Sequence, residues 1–561
     1  MRRPVVAART SERTPFPVSP AFRNYVEIVL DGLDDEPGRD ILVSGERRLT
    51  AREFRSLVHR LAHALREHGV GPGRTVTLLC GNLPETIAVR YAVNLLGAHF
   101  NHLYNRLSAD VQALMMADVE TYAFVVDPRL AGRAEELLGL VPPVKHVLLL
   151  GDASEGADRR AGRVGKDLLA LAAQQPDTPM TGGGRAEDLC FIRHSGGTTG
   201  HPKGVRSTFG RMQEGIAQTR ALFSGTGRRD LVCTPLSHAA GFIADGTLSA
   251  GGTVVLHYAF DPADILATIS RERITNMMLL PPLLYHVLDH PDAEHADLSS
   301  LRQVTYGGTP SSPVRIAEAV RRLGPVLQQG YGQFEAGAIS LLPAAEHDAD
   351  RPEILRTAGR PVPGVEVEIR DETGRALPAG EVGEICVRSG GMMEGYWKNP
   401  ELTAQVLRDG WMHTGDLGLL DERGYLSVVD RIKDMIPVVG GHVYTTELED
   451  FLNTHPAVRQ SAVYGVKGAG GHERVHATVV TAPGTTVTSE ELRAWVREGR
   501  GPLYEPHRVD LADTLPLTDA GKPDKKLMRA AAVAEQNRTS CPPPGVPGLR
   551  VGRGAGRRVR G

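Results

Sequence analysis

The sequence predicts an α/β protein with largely parallel sheets, followed by an antiparallel β region and a smaller α+β lobe. In roughly the first 350 residues, short apolar runs such as residues 75–80 alternate with stretches of helical periodicity, as in parallel sheets covered by helices. From about Gly359, glycine and proline separate short β-branched runs, which is typical of antiparallel strands. Beyond Lys433, helical and apolar stretches form a third group.

A capping box marks the first predicted helix. Thr50 and Glu53 have the spacing at which each side chain accepts a hydrogen bond from the other residue's backbone N–H group. Apolar residues then recur at helical spacing as far as Leu65, and Gly69 provides a stop. Further elements are predicted as a helix at residues 84–96 and strands at residues 75–80, 122–126 and 147–150.

The later elements are shorter. Strands are predicted at residues 365–369, 383–388 and 425–429, then helices at 447–452 and 490–498 and strands at 461–466 and 475–480. From about Cys541 the chain is rich in proline, glycine and arginine and has too few large apolar residues to form a core. We therefore divide it into a domain of residues 1–432, a lobe of residues 433–533 and a disordered tail of residues 534–561.

Composition excludes several classes of protein. The formal net charge of -3 over 561 residues provides no field that attracts nucleic acid. Five cysteines without a C-x-x-C pair argue against a disulfide scaffold or a zinc site. No apolar run approaches the roughly 20 residues of a membrane span. We expect a cytoplasmic protein, monomer or homodimer, without nucleic-acid partners and without a membrane span.

One glycine-rich loop, residues 195–204 with the sequence Ser-Gly-Gly-Thr-Thr-Gly-His-Pro-Lys-Gly, indicates chemistry with phosphates. Glycines allow successive backbone N–H groups to point into one concavity, and hydroxyls and Lys203 add further donors. The loop is not a Walker A motif, because it ends in Pro-Lys-Gly, and it is not a nucleophile elbow, because Arg193 replaces the required glycine. Taken alone, it also fits a surface linker.

Five further motifs accompany the loop. The loop resembles T-S-G-T-T-G-x-P-K-G, the phosphate-binding signature of the adenylate-forming superfamily, which includes acyl-CoA synthetases. The others are similar to that family's Y-G-x-T-E, G-Y with P-E-x-T, W-x-x-T-G-D, D-R-x-K-D and P-x-T-x-x-G-K. They lie, in the family's order, at residues 331–335, 395–403, 411–416, 430–434 and 516–522. The resemblance covers residues from about 40 to 530.

The resemblance implies a fold and a two-step reaction. The fold is a large N-terminal domain of two α/β sheet subdomains plus a β subdomain, with a small mobile α+β C-terminal lobe. In the reaction, a carboxylate attacks the α-phosphate of ATP to give an acyl-adenylate and pyrophosphate, and the thiol of coenzyme A then attacks the acyl carbon. The implied substrates are ATP, CoA and an aryl or a short- to medium-chain fatty acid, with Mg²⁺ as the metal.

The matching positions give a set of candidate site residues. Lys522, Glu335 and His238 are the candidate catalytic residues; Lys522 bridges the carboxylate and the α-phosphate, and His238 gates the acyl pocket. Glu335 and Thr198 are assigned to the metal. The resemblance assigns ATP and AMP binding to Ser195, Gly196, Gly197, Thr198, Thr199, Gly200, Lys203, Gly308, Thr309, Gln329, Gly330, Tyr331, Gly332, Phe334, Asp416 and Arg431.

Two smaller sets complete the assignment. The acyl pocket is expected to involve His238, Gly307, Gly308, Tyr331 and Gly337. The hinge and the path of CoA are expected at Lys433, Gly440 and Gly441. Asp416 and Arg431 are expected to bind the ribose. The competing interpretations are a solvated lysine for Lys522, a structural histidine for His238 and a core tyrosine for Tyr331.

Departures from the family pattern keep other functions open. Phe334 replaces the threonine of Y-G-x-T-E, whose hydroxyl contacts the α-phosphate in the family, and Gly196 replaces a common serine. Thr446 stands for a usual proline, and Lys467 and Gly468 for a Pro-Asp pair. The activated group has alternative destinations, namely a carrier-protein thiol or an amine, and nitrite is an alternative substrate, activated for N–N bond formation in secondary metabolism. A non-catalytic nucleotide-binding protein is a further alternative.

Overall fold

The computed structural model describes residues 21–151, 164–195, 202–223, 227–438, 441–467, 473–518 and 521–540. The chain forms two compact units. The first comprises Met1–Ile432 and Leu517–Lys522, and the second comprises Lys433–Pro516 and Pro523–Gly561. Within the described ranges, no helix combines the length and the apolar character that crossing a bilayer requires.

The described strands are, in chain order, β1 Asp40–Ser44, β2 Arg47–Thr50, β3 Thr75–Leu79, β4 His99–His102, β5 Ala123–Val126, β6 His146–Leu149, β7 Lys166–Asp167, β8 Leu189–Ser195, β9 Lys203–Thr208, β10 Arg229–Val232, β11 Thr253–Leu256, β12 Asn276–Leu279, β13 Gln303–Gly307, β14 Leu327–Gln333, β15 Gly337–Leu342, β16 Arg360–Pro361, β17 Glu366–Arg370, β18 Gly383–Arg388, β19 Leu407–Arg408, β20 Trp411–Leu420, β21 Leu426–Arg431, β22 Ile436–Val438, β23 Gly441–Val443, β24 Val458–Lys467, β25 Glu473–Thr481 and β26 Arg508–Ala512.

The described α-helices are α1 Tyr25–Asp31, α2 Ala51–Glu67, α3 Pro84–Leu95, α4 Ala109–Asp118, α5 Ala131–Leu138, α6 Leu168–Ala173, α7 Phe209–Phe223, α8 Ala239–Ser249, α9 Pro262–Glu272, α10 Pro281–Asp289, α11 Pro313–Leu323, α12 Pro352–Leu355, α13 Pro400–Val406, α14 Thr445–Leu452, α15 Ser489–Arg500 and α16 Lys525–Ser540. Short 3₁₀ turns lie at Pro128–Leu130, Pro291–Glu294 and Ala344–Glu346.

Two mixed sheets form the body of the first unit. One has the order β7-β6-β5-β3-β4-β8-β9, and the other the order β16-β15-β14-β13-β12-β10-β11-β1-β2. Neighbours are parallel except at the edges, where β9, β2, β15 and β16 run antiparallel to their partners. All residues of β3 and β5 are buried, since helices cover both faces of a parallel sheet. The predicted pair of α/β subdomains is therefore confirmed.

A third sheet of the first unit is antiparallel. Its order is β17-β18-β20-β19, and β21 pairs with β20. It follows the change in glycine and proline spacing near Gly359, as the sequence predicts. This antiparallel sheet carries two of the motifs, because β20 contains residues 411–416 and β21 ends in the first residues of the 430–434 motif.

The start of α2 follows from its sequence. The backbone N–H group of Thr50 donates to Glu53 Oε2 at 2.8 Å, and the N–H group of Glu53 donates to Thr50 Oγ1 at 3.3 Å. Both halves of the predicted capping box are thus formed. The helix ends at Glu67, two residues after Leu65, the last apolar position identified from periodicity.

The second unit is a small α+β lobe. Strands β24 and β25 pair antiparallel, and β26 joins β25 in parallel. An apolar core that includes Leu448, Val463 and Leu492 lies between this sheet and the helices. Helix α16 runs on to Ser540, past residue 533 where the sequence analysis ends the lobe, and an ion pair of 2.7 Å joins its Glu535 to Arg508 of β26.

Candidate active site

The glycine-rich loop connects two hydrogen-bonded strands. Strands β8 and β9 are antiparallel neighbours, and Ser195 at the end of β8 is the cross-strand partner of Lys203 at the start of β9. The ends of the loop are therefore fixed side by side at the mouth of a hairpin. The residues between them that the sequence assigns to phosphate, Gly196, Gly197, Thr198, Thr199 and Gly200, lie outside the described residues, and their roles stay predictions.

Strands β13 and β14 meet at their carboxyl ends, where ligands bind in open α/β sheets. Gly307 pairs with Gly330 across these strands, and a Cβ atom on Gly307 would overlap the carbonyl oxygen of Gly330. Gly308 and Thr309 follow, and the buried Thr309 hydroxyl has no hydrogen-bond partner among the described residues. This edge therefore offers open backbone and one unused donor to a ligand.

Gln329 and the glycines of the neighbouring hairpin border the same edge. Gln329 Oε1 accepts a hydrogen bond of 3.5 Å from Tyr306 on β13, which fixes its amide toward the sheet. Gly332 and Gly337 lie on β14 and β15, next to the turn that carries Phe334. The predicted nucleotide and acyl-pocket residues of this region thus come from three adjacent strands.

Asp416 is the most tightly held acidic side chain of the site. It lies on β20 with 5% of its side chain exposed, and Oδ2 accepts hydrogen bonds from Tyr331 Oη at 2.7 Å and Gln333 Nε2 at 2.6 Å. Arg431, its cross-strand partner on β21, places Nε 3.1 Å from Oδ1. Burial and the neighbouring carboxylate of Asp416 raise the pKa of Tyr331 well above its usual value, so the phenol stays a donor.

The second oxygen of Asp416 is left without a hydrogen-bond donor by the described residues. Oδ1 forms the ion pair with Arg431 but accepts no hydrogen bond from the described residues, although it is buried. A buried carboxylate oxygen in this state gains from a hydroxyl donor. The arrangement fits the ribose of a nucleotide, which presents two adjacent hydroxyls.

Glu335 lies in the turn after β14 and is held through Tyr396. Its carboxylate Oε1 accepts a hydrogen bond of 3.3 Å from Tyr396 Oη, and its carbonyl oxygen accepts one of 2.6 Å from Met393 N. Tyr396 is bridged to Val205 of β9, and Lys203 Nζ lies 5.6 Å from the centre of its ring. Tyr396 therefore contacts both Glu335 of the Y-G-x-T-E motif and Lys203 of the glycine-rich loop.

His238 lies at the N-terminal cap of α8, stacked on Tyr104 with ring centres 4.2 Å apart. Its Nδ1 is 3.1 Å from Ser237 Oγ. Burial, followed by the positive charges of Arg193 and Lys522, lowers the pKa of His238 to about 3. The imidazole is therefore neutral at physiological pH, which suits a wall or gate of an acyl pocket and not a proton donor.

Lys522 lies in a tight turn of the first unit. Thr518 N donates to the carbonyl oxygen of Lys522 at 2.7 Å, and Thr518 Oγ1 accepts from Lys522 N at 3.2 Å. Gly521 has φ +79°, and a Cβ atom there would lie 2.8 Å from Leu283 Cδ1. Glycine at position 521 is thus needed for this turn. Lys522 is close enough to His238 to lower its pKa.

The residues assigned to the hinge and to CoA belong to the second unit. Lys433 is its first residue, because the units divide between Ile432 and Lys433. Gly441 begins β23 and pairs with Val438 of β22, whereas Gly440 lies outside the described residues. The position of Lys433 suits a hinge, and the roles of these three residues stay predictions.

Glu384, Cys386 and His413 form a separate polar cluster on β18 and β20. His413 Nδ1 is 2.7 Å from Glu384 Oε2 and 3.4 Å from Cys386 Sγ. Arg408 Nη2 lies 2.7 Å from the same nitrogen, and burial raises the pKa of Cys386 to about 12. Since an arginine already provides the positive charge and the thiol is protonated, we interpret this group as a hydrogen-bonded cluster of the sheet.

Three functional residues were not identified from the sequence. Gln333 and Tyr396 lie within quoted motifs, but only the contacts show that Gln333 fixes Asp416 and that Tyr396 fixes Glu335. Arg193 is a charged residue that follows the apolar residues 189–192 of β8, and it contacts the ring of Phe334. The feature of the sequence that could have identified Arg193 is its charge within a buried strand.

Buried neutral histidines make the fold sensitive to acid. Burial is the main cause that lowers the pKa of His99 to about 4 and that of His102 to about 3. Between about pH 6.5 and pH 4 the unfolded chain binds protons that the folded chain does not, so the stability falls by about 1.4 kcal/mol per pH unit for each such histidine. We expect the urea midpoint to drop over this range and the drop to shrink in His102→Gln.

The exposed His295→Gln is the control for this experiment. An unfolding midpoint that is flat between pH 6.5 and pH 4.5, or an equal change in both variants, would contradict the expectation.

The features of the first unit define the class of the protein. The strands that flank the glycine-rich sequence, the buried aspartate paired with an arginine and the lysine after Gly521 carry the residues that the family resemblance assigns to the nucleotide. The chain belongs to that family: residues 32–397 match the family of AMP-binding enzymes, and residues 447–522 match the AMP-binding enzyme C-terminal domain.

Named relatives agree with this assignment. The medium/long-chain-fatty-acid–CoA ligase FadD8 of Mycobacterium tuberculosis is 36% identical over 515 residues, which cover 90% of this chain and 89% of that protein. A feruloyl-CoA synthase of an Amycolatopsis species is 35% identical over 481 residues, covering 85% and 93%. Among solved structures, the amide bond synthetase McbA of Marinactinospora thermotolerans has a TM-score of 0.81 and 40% identity, covering 90% of this chain and 99% of that one.

Proposed function

We propose that the protein activates an aryl or a short- to medium-chain fatty acid with ATP and transfers the acyl group to CoA. The observation that carries the proposal is Asp416. Its Oδ2 is held by two donors, and its Oδ1 pairs with Arg431 and accepts no hydrogen bond within the described ranges. It also lies in the unit that contains Lys522. FadD8, named a fatty-acid–CoA ligase, and the relative named a feruloyl-CoA synthase support the acid and the thiol.

The nucleotide is positioned by groups that are already ordered. Asp416 Oδ1 accepts from a ribose hydroxyl, and Arg431, with 46% of its side chain exposed, is free to donate to the sugar as well. Tyr331 and Gln333 hold the other oxygen, so the carboxylate does not reorient when the nucleotide binds. Such preorganisation is how enzymes stabilise developing charge without reorganisation at the moment of reaction.

Adenylation is then a matter of charge and position. A carboxylate oxygen forms a bond to the α-phosphorus as the bond to pyrophosphate breaks. Lys203, beside the ring of Tyr396, supplies positive charge at the loop, and Lys522 screens the two anions that must approach each other. In the second step, the thiolate of CoA attacks the acyl carbon and AMP leaves with the carboxylate oxygen.

Glu335 fits a Mg²⁺ ion bound together with ATP. Mg²⁺ prefers oxygen ligands and is usually held by one or two carboxylates plus substrate phosphates. The Glu335 carboxylate accepts from Tyr396 through Oε1 and lies near the base of the phosphate loop. Bound there, the ion would neutralise phosphate charge; Thr198, the second predicted ligand, lies outside the described residues.

The decisive experiment measures pyrophosphate release. The purified protein is given ATP, Mg²⁺ and a panel of about twenty acids with and without CoA. We expect acid-dependent release, and with CoA an acyl-CoA product. Absence of pyrophosphate with every acid, with nitrite included in the panel, would leave the non-catalytic nucleotide-binding protein as the function.

An amine is the second candidate for the attacking group, because a relative that is 40% identical is named an amide bond synthetase. The same assay separates the two. Amines in place of CoA yield amides only if the second step accepts them. A product that forms with an amine and not with CoA would replace the thiol ligase by an amide synthetase while leaving adenylation intact.

The glycine loop of the second unit gives a prediction specific to the CoA step. We expect Gly440→Trp to reduce acyl-CoA formation by at least about tenfold, since an indole closes the space proposed for the pantetheine arm, and to leave pyrophosphate release from acid and ATP unchanged. The control is Thr486→Trp, an exposed position of the same unit. Full CoA ligation by Gly440→Trp contradicts the assignment.

A further inference from the structure

Arg193 is a buried cation with an unused hydrogen-bond donor. It lies on β8, two residues before Ser195, and 5% of the residue is exposed. Its guanidinium carbon lies 4.4 Å from the ring centre of Phe334 and 4.5 Å from that of Phe242. The buried Nη1 has no hydrogen-bond acceptor among the residues that the structure describes.

The contacts of Arg193 satisfy its charge only in part. Aromatic faces attract the cation through their quadrupoles and hold its plane, but they do not accept the in-plane N–H groups. Asp245, a carboxylate whose charge acts on Arg193, has both oxygens engaged by Arg90 and Tyr91. Burial lowers the pKa of Arg193 to about 10, so it still carries its charge at neutral pH.

The guanidinium lies close to residues of the region proposed for the acid. Its charge helps to lower the pKa of His238, the proposed gate, and that of His102 on the neighbouring strand β4. Phe334, which lies under it, is the residue before Glu335 and replaces the family's threonine. Arg193, just before the glycine-rich loop, therefore contacts the residue that departs from the family's Y-G-x-T-E motif.

We infer that Arg193 binds a hydrogen-bond acceptor on the acyl part of the acid, so that the preferred substrate is an aryl acid carrying a second polar group, such as a carbonyl or a carboxylate. The inference rests on the proposed function, because it concerns the acid that is activated. Aromatic side chains surround this region, and a flat ring of a substrate can pack against them. They are Phe242, Phe334 and the stacked pair Tyr104 and His238.

A plain hydrocarbon acid would leave the buried Nη1 donor of Arg193 without a hydrogen-bond acceptor. Sites built to hydrogen-bond a substrate group reject analogues that lack it, because the polar group of the site is then left unpaired. The reacting carboxylate is common to all acids and is assigned to Lys522. Selectivity between acids of the same shape is therefore the property that Arg193 controls.

The test compares acids that differ only in the acceptor. Pyrophosphate release is measured with 3- and 4-acetylbenzoate, with isophthalate and terephthalate, and with the matching isopropylbenzoates, which have the shape of the acetyl acids but no acceptor. We expect the parent enzyme to prefer one acceptor acid over its isopropyl partner by at least about tenfold in kcat/KM. Comparing the acetylbenzoates with isophthalate and terephthalate shows whether the preferred acceptor is neutral or anionic.

The variant Arg193→Met removes the donor and keeps an apolar side chain of similar length. We expect it to lose the preference through a rise in KM for the acceptor acids, while activity with the isopropyl acids is retained. Arg193→Lys, which keeps the charge, should retain part of the preference. The control is Arg185→Met, at an arginine with 73% of its side chain exposed.

Two results overturn the inference. One is equal kcat/KM for the acetyl and isopropyl acids in the parent enzyme, a measurement that does not depend on any variant folding. The other is an equal loss with all acids in Arg193→Met, which assigns Arg193 to the shared carboxylate or to the loop. If no acid releases pyrophosphate, the proposed function fails, and calorimetric titration of the acid pairs then decides, with equal Kd values overturning the inference.

Discussion

Lys522→Ala is expected to lower acid-dependent pyrophosphate release by at least about 10²-fold, since it removes the cation that screens the two reacting anions. The lysine is held in a turn that needs Gly521, so truncation to alanine changes the side chain without changing the loop. The measurement is the initial rate of pyrophosphate release with saturating ATP and the best acid of the panel.

The second half-reaction distinguishes a catalytic from a structural effect of this substitution. Preformed acyl-adenylate supplied to Lys522→Ala should still be consumed at close to the parent rate, because that step does not use the lysine. The neighbouring exposed Lys526→Ala is the matched control and should keep both activities. Equal loss in both half-reactions would remove Lys522 from the adenylation step.

Asp245→Asn is expected to destabilise the first unit by about 3–5 kcal/mol, the usual effect of breaking a buried ion pair. Arg90 and Asp245 are 2% and 0% exposed, with Nη2 and Oδ2 2.7 Å apart, and Tyr91 Oη donates to the other oxygen at 2.9 Å. The pair joins α3 to α8. The substitution leaves the Arg90 charge buried without a counter-ion, and urea unfolding followed by fluorescence measures the loss.

A surface pair provides the comparison. Arg23 and Asp31 are 2.8 Å apart with about half of each side chain exposed, so Asp31→Asn should cost less than about 1 kcal/mol. The double variant Arg90→Met with Asp245→Leu should recover most of the stability, since an apolar pair removes both buried charges. A loss in Asp245→Asn no larger than that in Asp31→Asn would rule out a structural role for the pair.

Local signals account for the parts of the fold that were predicted. The capping box of α2, the proline that begins α3 and the apolar runs of β3 and β5 act over a few residues, and each element lies where its pattern indicates. The order of the strands in each sheet, in contrast, does not follow from such local signals. Nothing in the composition of β8 indicates that it pairs with β4, about ninety residues earlier, because that neighbour is chosen by packing across the whole unit.

The candidate site also combines residues that the sequence identifies with contacts that only the structure shows. Asp416 and Arg431 were recognised as motif residues, but their pairing across β20 and β21 required the register of two strands. Phe334 was recognised as a departure from the family, and its effect could not be derived from sequence, since the side chain it contacts, Arg193, lies about 140 residues away. Motifs identify the groups that react, whereas the residues that position them come from long-range contacts.

The turn that carries Lys522 belongs to the first unit, although the chain enters and leaves it through residues of the second. Residues 433–516 therefore join this turn covalently to the rest of the first unit, so that the proposed adenylation lysine is an intramolecular group. A chain divided at Lys433 would present the same lysine at only the concentration of the added fragment. Adenylation would then become a bimolecular encounter, limited by dilution while every reacting side chain is still intact.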